Sequence, residues 1–184
     1  DGLEGWPCRE LAEGPAPSPP EVGETKLTDY KDPKIKAIAP SLVVVTFDLP
    51  YILSGVAERH YYGTGLIIDK ELGYVVVDRN TVPIAIGDVK ITFAGSLEVE
   101  GKIEQLHPLH NFAIVSYDPK SIGKTRVKEA KFNTTPLQPG DDVWVVGIRG
   151  DHQLVHQHST VSSVDPMVLP LSRNWSRLAR GKEF

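Results

Sequence analysis

The sequence predicts an all-β protein organised around a small closed sheet. Three short runs of apolar and β-branched residues within residues 63–118 carry this prediction, because each run ends at glycine, proline or asparagine, as strands do. Neighbouring runs bring the number of predicted strands before residue 119 to six. Six short strands are enough to close one small β-barrel.

The first three strands are predicted at 42–47, 61–68 and 74–77. The run at 42–47 is continuously apolar or β-branched, which indicates a buried strand. The second strand contains Gly63 and Gly65, and two glycines inside a strand indicate a bulge or a close approach of another part of the chain.

Residues 88–93 and 97–103 alternate between apolar and polar side chains, so we expect them to pair as an antiparallel hairpin through residues 94–96. In the first of these strands the side chains expected to point inward are Val89, Ile91 and Phe93, and those expected to point outward are Lys90 and Thr92. Residues 112–117 form the sixth predicted strand, followed by a turn at Asp118-Pro119.

Composition divides the chain into four regions. Eight of the 15 prolines lie within residues 1–50, so residues 1–38 are interpreted as a Pro-rich linker, with its charged part at 26–36 a connector. Residues 39–124 are predicted to form the first, complete barrel. Residues 125–165 begin a second barrel, with strands at 143–147 and 157–164. Residues 166–184 form a basic tail that contains Arg173, Arg177, Arg180 and Lys182.

The charge and cysteine content exclude several classes of function. The net charge is −4 with both signs mixed, so no electrostatic footprint for nucleic acid or an anionic membrane is predicted. Cys8 is the one cysteine, which excludes an internal disulfide and favours a reducing compartment. No secretion signal or membrane-spanning run is present, and because the chain begins at Asp1 we expect it to be part of a longer protein.

Three motifs resemble the first half of a trypsin-like serine protease domain of the HtrA/Deg family. They are Gly63-Thr64-Gly65, the run from Gly73 to Val82 and the run from His107 to Val115. In that family the second motif ends in the catalytic histidine and the third opens with the catalytic aspartate. Gapless alignment places Asn80 in the histidine position and Asn111 in the aspartate position.

The resemblance implies a trypsin-like (chymotrypsin-type) double β-barrel without a working catalytic triad. A carboxamide takes up no proton near neutral pH, so Asn80 cannot be a general base, and Asn111 favours the wrong tautomer of a histidine. A shift of the alignment by one residue places Thr81 in the histidine position and leaves this conclusion unchanged. The Gly-x-Ser-Gly turn of the nucleophile is absent after residue 164, where Ser172 and Ser176 are expected to be solvated loop residues.

One branch of the family is closer than the others: the large double-protease HtrA relatives of fungi and plants, whose second protease domain is degenerate. The string Leu-His-Pro-x-His-Asn at 106–111 and Tyr-Asp-Pro at 117–119 carry this narrower resemblance. It implies a non-catalytic structural, oligomerisation or recognition module. Its partners would be PDZ domains and an active protease domain of the same protein, which would be nuclear if fungal and organellar if from a plant, together with further copies in a homo-oligomer. The alternative is part of an active serine endopeptidase whose catalytic site lies elsewhere in the parent chain.

Other polar clusters give weaker signals, and no cofactor or metal site is predicted. A solvated hairpin is expected in preference to a metal site at His152, His156 and His158, although His156 and His158 share one strand face. Ordinary loop hydrogen bonding is expected for His107 and His110. Asp78 is predicted to cap a turn.

Overall fold

The computed structural model describes residues 30–51 and 58–165. These ranges contain one α-helix, two short 3₁₀ helices and eight β-strands. The elements are, in chain order, α1 (Pro33–Ile38), a 3₁₀ helix (Ala39–Ser41), β1 (Leu42–Asp48), β2 (His60–Asp69), β3 (Tyr74–Val77), β4 (Asp88–Phe93), β5 (Leu97–Leu106), β6 (Ala113–Tyr117), a 3₁₀ helix (Pro119–Ile122), β7 (Asp142–Ile148) and β8 (Leu154–Thr160).

Strands β1 to β6 form a closed antiparallel barrel in the order β1-β2-β3-β6-β5-β4. The ring closes because β1 pairs with both β2 and β4, so that Val44 lies opposite Thr64 on one side and Thr92 on the other. The β4–β5 hairpin turns at Ala94 and Gly95, which both have positive φ angles, 48° and 70°. The prediction of an all-β fold with a complete six-stranded barrel is therefore confirmed.

The barrel interior is filled by alternate side chains of the strands, among them Val45, Phe47, Ile67, Val75 and Val115. β1 is buried on both faces, as its continuous apolar run predicts: Leu42 and Val44 point away from the interior but are also buried. Thr92, which is paired with Val44, points outward as the alternation predicts, but it is buried there, since only 6% of its surface is exposed.

The glycines of β2 mark close packing. A Cβ atom on Gly65 would lie 2.6 Å from Val75 Cγ1 and 2.7 Å from Val45 Cγ2. The side chain of a larger residue would therefore overlap the barrel interior. The irregularity in β2 lies further along, between Ile67 and Asp69, where the pairing with β3 shifts register.

The expectation of an unstructured connector up to residue 36 is wrong for its last residues. Helix α1 begins there, with Pro33 in its first turn and the Asp32 carboxylate accepting a hydrogen bond of 2.8 Å from the Lys34 amide. Asp before Pro is a sequence signal for a helix start. Ile35 is only 1% exposed, so this short helix is fixed by burial of one side chain.

Strands β7 and β8 form a two-stranded antiparallel sheet, in agreement with a second barrel that is only begun. The strand predicted at 157–164 is shifted: β8 ends at Thr160. Ser163 and Asp165 bond to each other instead, since the Ser163 hydroxyl contacts the Asp165 carboxylate and accepts from its amide, both at 3.0 Å. Local bonds of this kind compete with strand pairing.

The Thr64 hydroxyl is one of the groups that attach the β7–β8 hairpin to the barrel. Thr64 Oγ1 accepts a hydrogen bond of 2.7 Å from the Ile148 amide and donates one of 3.3 Å to the Ile148 carbonyl. At the hairpin turn, Gly150 lies against the Tyr62 ring, and a Cβ atom there would be 2.9 Å from it. Ile148 and Leu154 of the hairpin also lie near Leu42 and Val44 on the outer face of β1, around a small shared cavity.

Several sequence predictions lie outside the described residues. These are the linker up to residue 29 and the basic tail at 166–184, with Ser172, Ser176 and its arginines. Among the residues that the structure describes, no helix is long and apolar enough to cross a membrane.

Candidate functional site

The segment that follows β3 contains Asn80, the residue that the family resemblance aligns with the catalytic histidine. Asp78 organises it as a turn: its carboxylate accepts a hydrogen bond of 3.0 Å from the Asn80 amide and one of 2.5 Å from the Thr81 hydroxyl. Its carbonyl accepts from the amides of Thr81 and Val82 at 3.2 and 3.3 Å. The predicted role of Asp78 as a turn cap is confirmed.

Asn80 lies at the tip of this turn with an exposed side chain. Within the described part of the chain that side chain forms no hydrogen bond, since the bond to Asp78 uses the backbone amide. A neutral carboxamide neither accepts nor releases a proton near neutral pH, so this position offers no general base.

Thr81, the residue that a one-position shift would place there, is buried at 3% exposure. Its hydroxyl is committed to the Asp78 carboxylate and lies where a Cβ atom of Gly63 would be, at 2.1 Å. The glycine in β2 therefore makes room for the hydroxyl. An alcohol whose proton is bound to a carboxylate cannot act as a base either.

The loop between β5 and β6 contains Asn111, the residue that the family resemblance aligns with the catalytic aspartate. Its side chain is exposed. His107 shapes this loop: its Nδ1 accepts from the amides of His110 at 2.9 Å and Leu109 at 3.3 Å. Its ring stacks near those of His110 and Phe112, with centroids 4.7 and 4.5 Å away. The expected loop hydrogen bonding of His107 is confirmed.

Arg79 connects the two loops, and sequence reasoning missed it. Its Nη1 donates a hydrogen bond of 2.9 Å to the His107 carbonyl. Its Nε is buried without a hydrogen-bond partner among the described residues. An arginine beside the histidine position was visible in the sequence, but the residue that it reaches is 28 positions away, which no local pattern reveals.

The histidines of the hairpin do not come together as a metal site. His156 and His158 lie on one face of β8 and flank the Trp144 ring, with centroids 5.6 and 5.4 Å away. His158 Nε2 is 3.4 Å from the Asp142 carboxylate, whereas His152 lies in the hairpin turn beside Gly95. No group of three or more potential metal ligands exists within residues 30–51 and 58–165.

A cavity of about 40 Å³ lies between the barrel and the hairpin, away from Asn80 and Asn111. Its walls include Val44, Ala94 and Leu154. A space of this size has room for one or two water molecules and is far smaller than a ligand pocket.

The sequence is similar to curated fungal proteins, although no family model matches it. It is 33% identical to the pro-apoptotic serine protease NMA111 of Pyricularia oryzae over 168 residues, which are 90% of this chain and 16% of that protein. It is 34% identical to the NMA111 protease of Yarrowia lipolytica, with 90% and 17% covered. A PDZ domain-containing protein of Schizosaccharomyces pombe is 31% identical, with 91% and 17% covered.

Two solved structures have the same fold. The inactive form of the Rv3671c protease has a TM-score of 0.56 at 20% identity and covers 77% of this chain and 61% of its own. Deg5 has a TM-score of 0.57 at 17% identity and covers 73% and 63%. At these identities the likeness shows the fold, which is that of trypsin-like protease domains.

The comparisons confirm the HtrA/Deg resemblance and define its extent. The chain spans about one sixth of the length of the curated relatives that it matches. Their names are those of serine proteases and of a PDZ domain-containing protein. The chain is thus a homologue of one part of the HtrA-type NMA111 serine proteases, with the trypsin-like fold.

Proposed function

We propose that this chain is a non-catalytic, trypsin-like domain that serves as a structural, oligomerisation or recognition module within a larger HtrA-type protein. The observation that carries the proposal is the asparagine at position 80, which is exposed at the tip of its turn. Trypsin-like catalysis needs an imidazole there to take the proton of the serine hydroxyl. Asn80 lacks that chemistry, as does the neighbouring Thr81.

The surrounding hydrogen bonds support the same proposal. The Asp78 carboxylate, which is the acidic group of this turn, accepts from Asn80 and Thr81 and so stabilises the turn itself. Asn111, in the aspartate position, is exposed and has no carboxylate to orient a histidine. Base and orienting group are therefore both replaced by amides.

The first test is hydrolysis of casein and of a peptide ester by the purified chain. We expect no turnover above the buffer rate. The variant Asn80→His/Asn111→Asp should also be inactive, because two restored side chains supply neither a nucleophile nor an oxyanion hole. Asn133→Asp is the control variant, because it changes an exposed asparagine outside both loops and is expressed and purified in the same way. Turnover by the double variant that the control lacks would mean that a serine nucleophile is present.

A second candidate concerns the parent protein rather than this chain. Because the relatives are named serine proteases and are about six times as long, we propose that the parent is an active serine endopeptidase with its catalytic site elsewhere. PDZ domains, an active protease domain and further copies of the parent would be the partners. A nuclear location is proposed from the resemblance alone, and fluorescence imaging of the tagged parent tests it.

Deletion of residues 39–165 from the parent tests both candidates. If the segment is a structural module, the deleted protein should keep its reactivity towards a fluorophosphonate and change its oligomeric mass, measured by light scattering. Loss of fluorophosphonate reactivity in a folded, deleted parent would place a catalytic residue in the segment and contradict the proposed function.

A further inference from the structure

Residues 120–131 form a positively charged segment along the outside of the barrel, which we call the basic strap. It has one acidic residue, Glu129, and five basic ones, all exposed: Lys120, Lys124, Arg126, Lys128 and Lys131. The strap thus has a net charge of +4 in a chain whose net charge is −4, which leaves −8 on the remaining residues.

The strap is held against the barrel by its backbone. The Lys128 amide donates to the Pro40 carbonyl at 3.0 Å, and the Ala130 amide donates to the Ile67 carbonyl at 2.8 Å. Thr125 is buried at 7% exposure and Val127 packs on the barrel interior. Burial of these two alternate residues leaves the side chains between and beside them in solvent.

The exposed basic side chains therefore form a row. Lys124, Arg126 and Lys128 are two residues apart, which in extended chain is a spacing of about 6.6 Å. Lys120 and Lys131 extend the row at its two ends. Helix α1, with Lys34 and Lys36, lies just before Pro40 and so adds positive charge near Lys128.

The lysines of the strap differ from several other basic residues in how their charges are neutralised. Several basic residues elsewhere have partners within the described chain: Lys70 with Glu71, Lys90 with Glu98, Lys102 with Glu104, Arg149 with Asp151, Arg79 with the His107 carbonyl and Arg59 with the carbonyls of Leu49 and Pro50. In contrast, no described residue forms an ion pair with Lys120, Lys124, Lys128 or Lys131.

We propose that the basic strap is a docking surface for an extended acidic segment of a partner protein. An extended peptide with a carboxylate at every second residue repeats at the same spacing as the row, so its charges can face the strap side chain by side chain. The residues outside the strap have a net charge of −8, which would repel a long polyanion such as a nucleic acid. A short acidic segment contacts only the strap and avoids this repulsion.

Fluorescence anisotropy with a labelled peptide, Gly-Glu-Ser-Glu-Ser-Glu-Gly, tests this proposal on the full chain at low salt. We expect binding that weakens at about 0.15 M salt, because exposed charge pairs are screened. A peptide of the same composition with its three glutamates adjacent should bind more weakly, since only two of them can meet the row. An oligothymidylate is the nucleic-acid probe and should bind more weakly than the alternating peptide.

Lys124→Gln/Lys128→Gln is the test variant, and Lys70→Gln/Lys102→Gln removes the same charge from paired lysines outside the strap. Each lost exposed ion pair corresponds to about 1.4- to five-fold weaker binding, so we expect about two- to twenty-five-fold for the test variant and little change for the control. Equal weakening by both variants, no binding of either peptide, or tighter binding of the oligothymidylate would overturn the proposal. The proposal would also be overturned if the chain self-associates at low salt and the test variant abolishes that self-association. The strap would then bind a second copy of the chain. None of these outcomes depends on whether the chain is catalytic.

Discussion

Gly63→Ala tests the packing of β2 against Thr81 and the Asp78 turn. A Cβ atom at this position would lie 2.1 Å from Thr81 Oγ1 and 3.2 Å from Asp78 Oδ1. The Thr81 hydroxyl must then move, which breaks its 2.5 Å hydrogen bond to the Asp78 carboxylate. The change thus acts on the turn that carries Asn80.

Three effects set the magnitude. Loss of a hydrogen bond to a charged group costs about 1.5–3 kcal/mol, and overpacking costs about 1–3 kcal/mol. Replacing glycine reduces the freedom of the unfolded chain, which offsets about 0.4–1 kcal/mol. The net loss in the free energy of unfolding should be about 1.5–5.6 kcal/mol. This corresponds to a fall in Tm of roughly 3–22 °C for a chain of this size.

Thermal unfolding followed by circular dichroism measures the effect. Gly147→Ala is the matched control, because its Cβ atom would meet Thr64 Oγ1 at 3.4 Å, an ordinary contact distance. The double variant Gly63→Ala/Thr81→Ala should be less destabilised than the sum of its single variants, since it removes the atom that clashes. A Gly63→Ala protein as stable as the Gly147→Ala protein would refute the described packing of Thr81 against β2.

Three further changes should have measurable effects. Tyr117→Phe should raise the free energy of unfolding by about 1 kcal/mol, because the Tyr117 hydroxyl is buried without a hydrogen-bond partner among the described residues. The same burial raises the pKa of Tyr117 to about 12. A lower Tm for Tyr117→Phe would contradict this prediction. The hydrogen bond from the Gln153 amide, and then the charge of Arg149, lower the pKa of Asp151. Its contribution to stability is therefore present above about pH 4 and lost as the pH falls through the folded-state pKa, so Asp151→Asn should flatten the acid limb of the pH–stability curve. Val145 and Val155 are 62% and 40% exposed on the two-stranded sheet of β7 and β8. Val145→Lys/Val155→Lys should therefore reduce concentration-dependent self-association, measured by light scattering. A wild-type chain that is monomeric at every concentration would contradict self-association through this surface.

Strand positions in the barrel followed from local sequence patterns. The β4–β5 hairpin alternates strictly, and β1 is continuously apolar, so period and composition specified both of them. The sequence did not reveal which element packs on the outward face of β1. The β7–β8 hairpin, which buries Leu42 and Val44, is about 100 residues away along the chain. The burial of Thr92 was missed for the same reason.

Helix α1 and the end of β8 were missed because short elements carry little periodic signal. Helix α1 has six residues and buries one of them, Ile35, so no apolar stripe exists to be recognised. At the end of β8, the sequence around Val161 continues to look like a strand, but Ser163 and Asp165 bond locally and end the pairing.

In the candidate site, too, roles that depend on neighbouring residues could be predicted, whereas contacts between distant segments could not. Asp78 as a turn cap and His107 as a loop residue could be predicted, because both act on amides within three positions of themselves. The contact of Thr81 with Gly63 and that of Arg79 with His107 join segments that are distant in sequence. Such contacts depend on barrel closure, which local patterns do not describe.

Intact-mass spectrometry after incubation with a fluorophosphonate tests the absence of a catalytic serine most directly. A serine is phosphonylated by this reagent only when a base takes its proton and amides stabilise the developing charge. With Asn80 in place of that base, the mass of the chain should remain unchanged, while a working trypsin-like protease in the same tube is labelled completely. One stoichiometric adduct on a single serine of this chain would contradict the account.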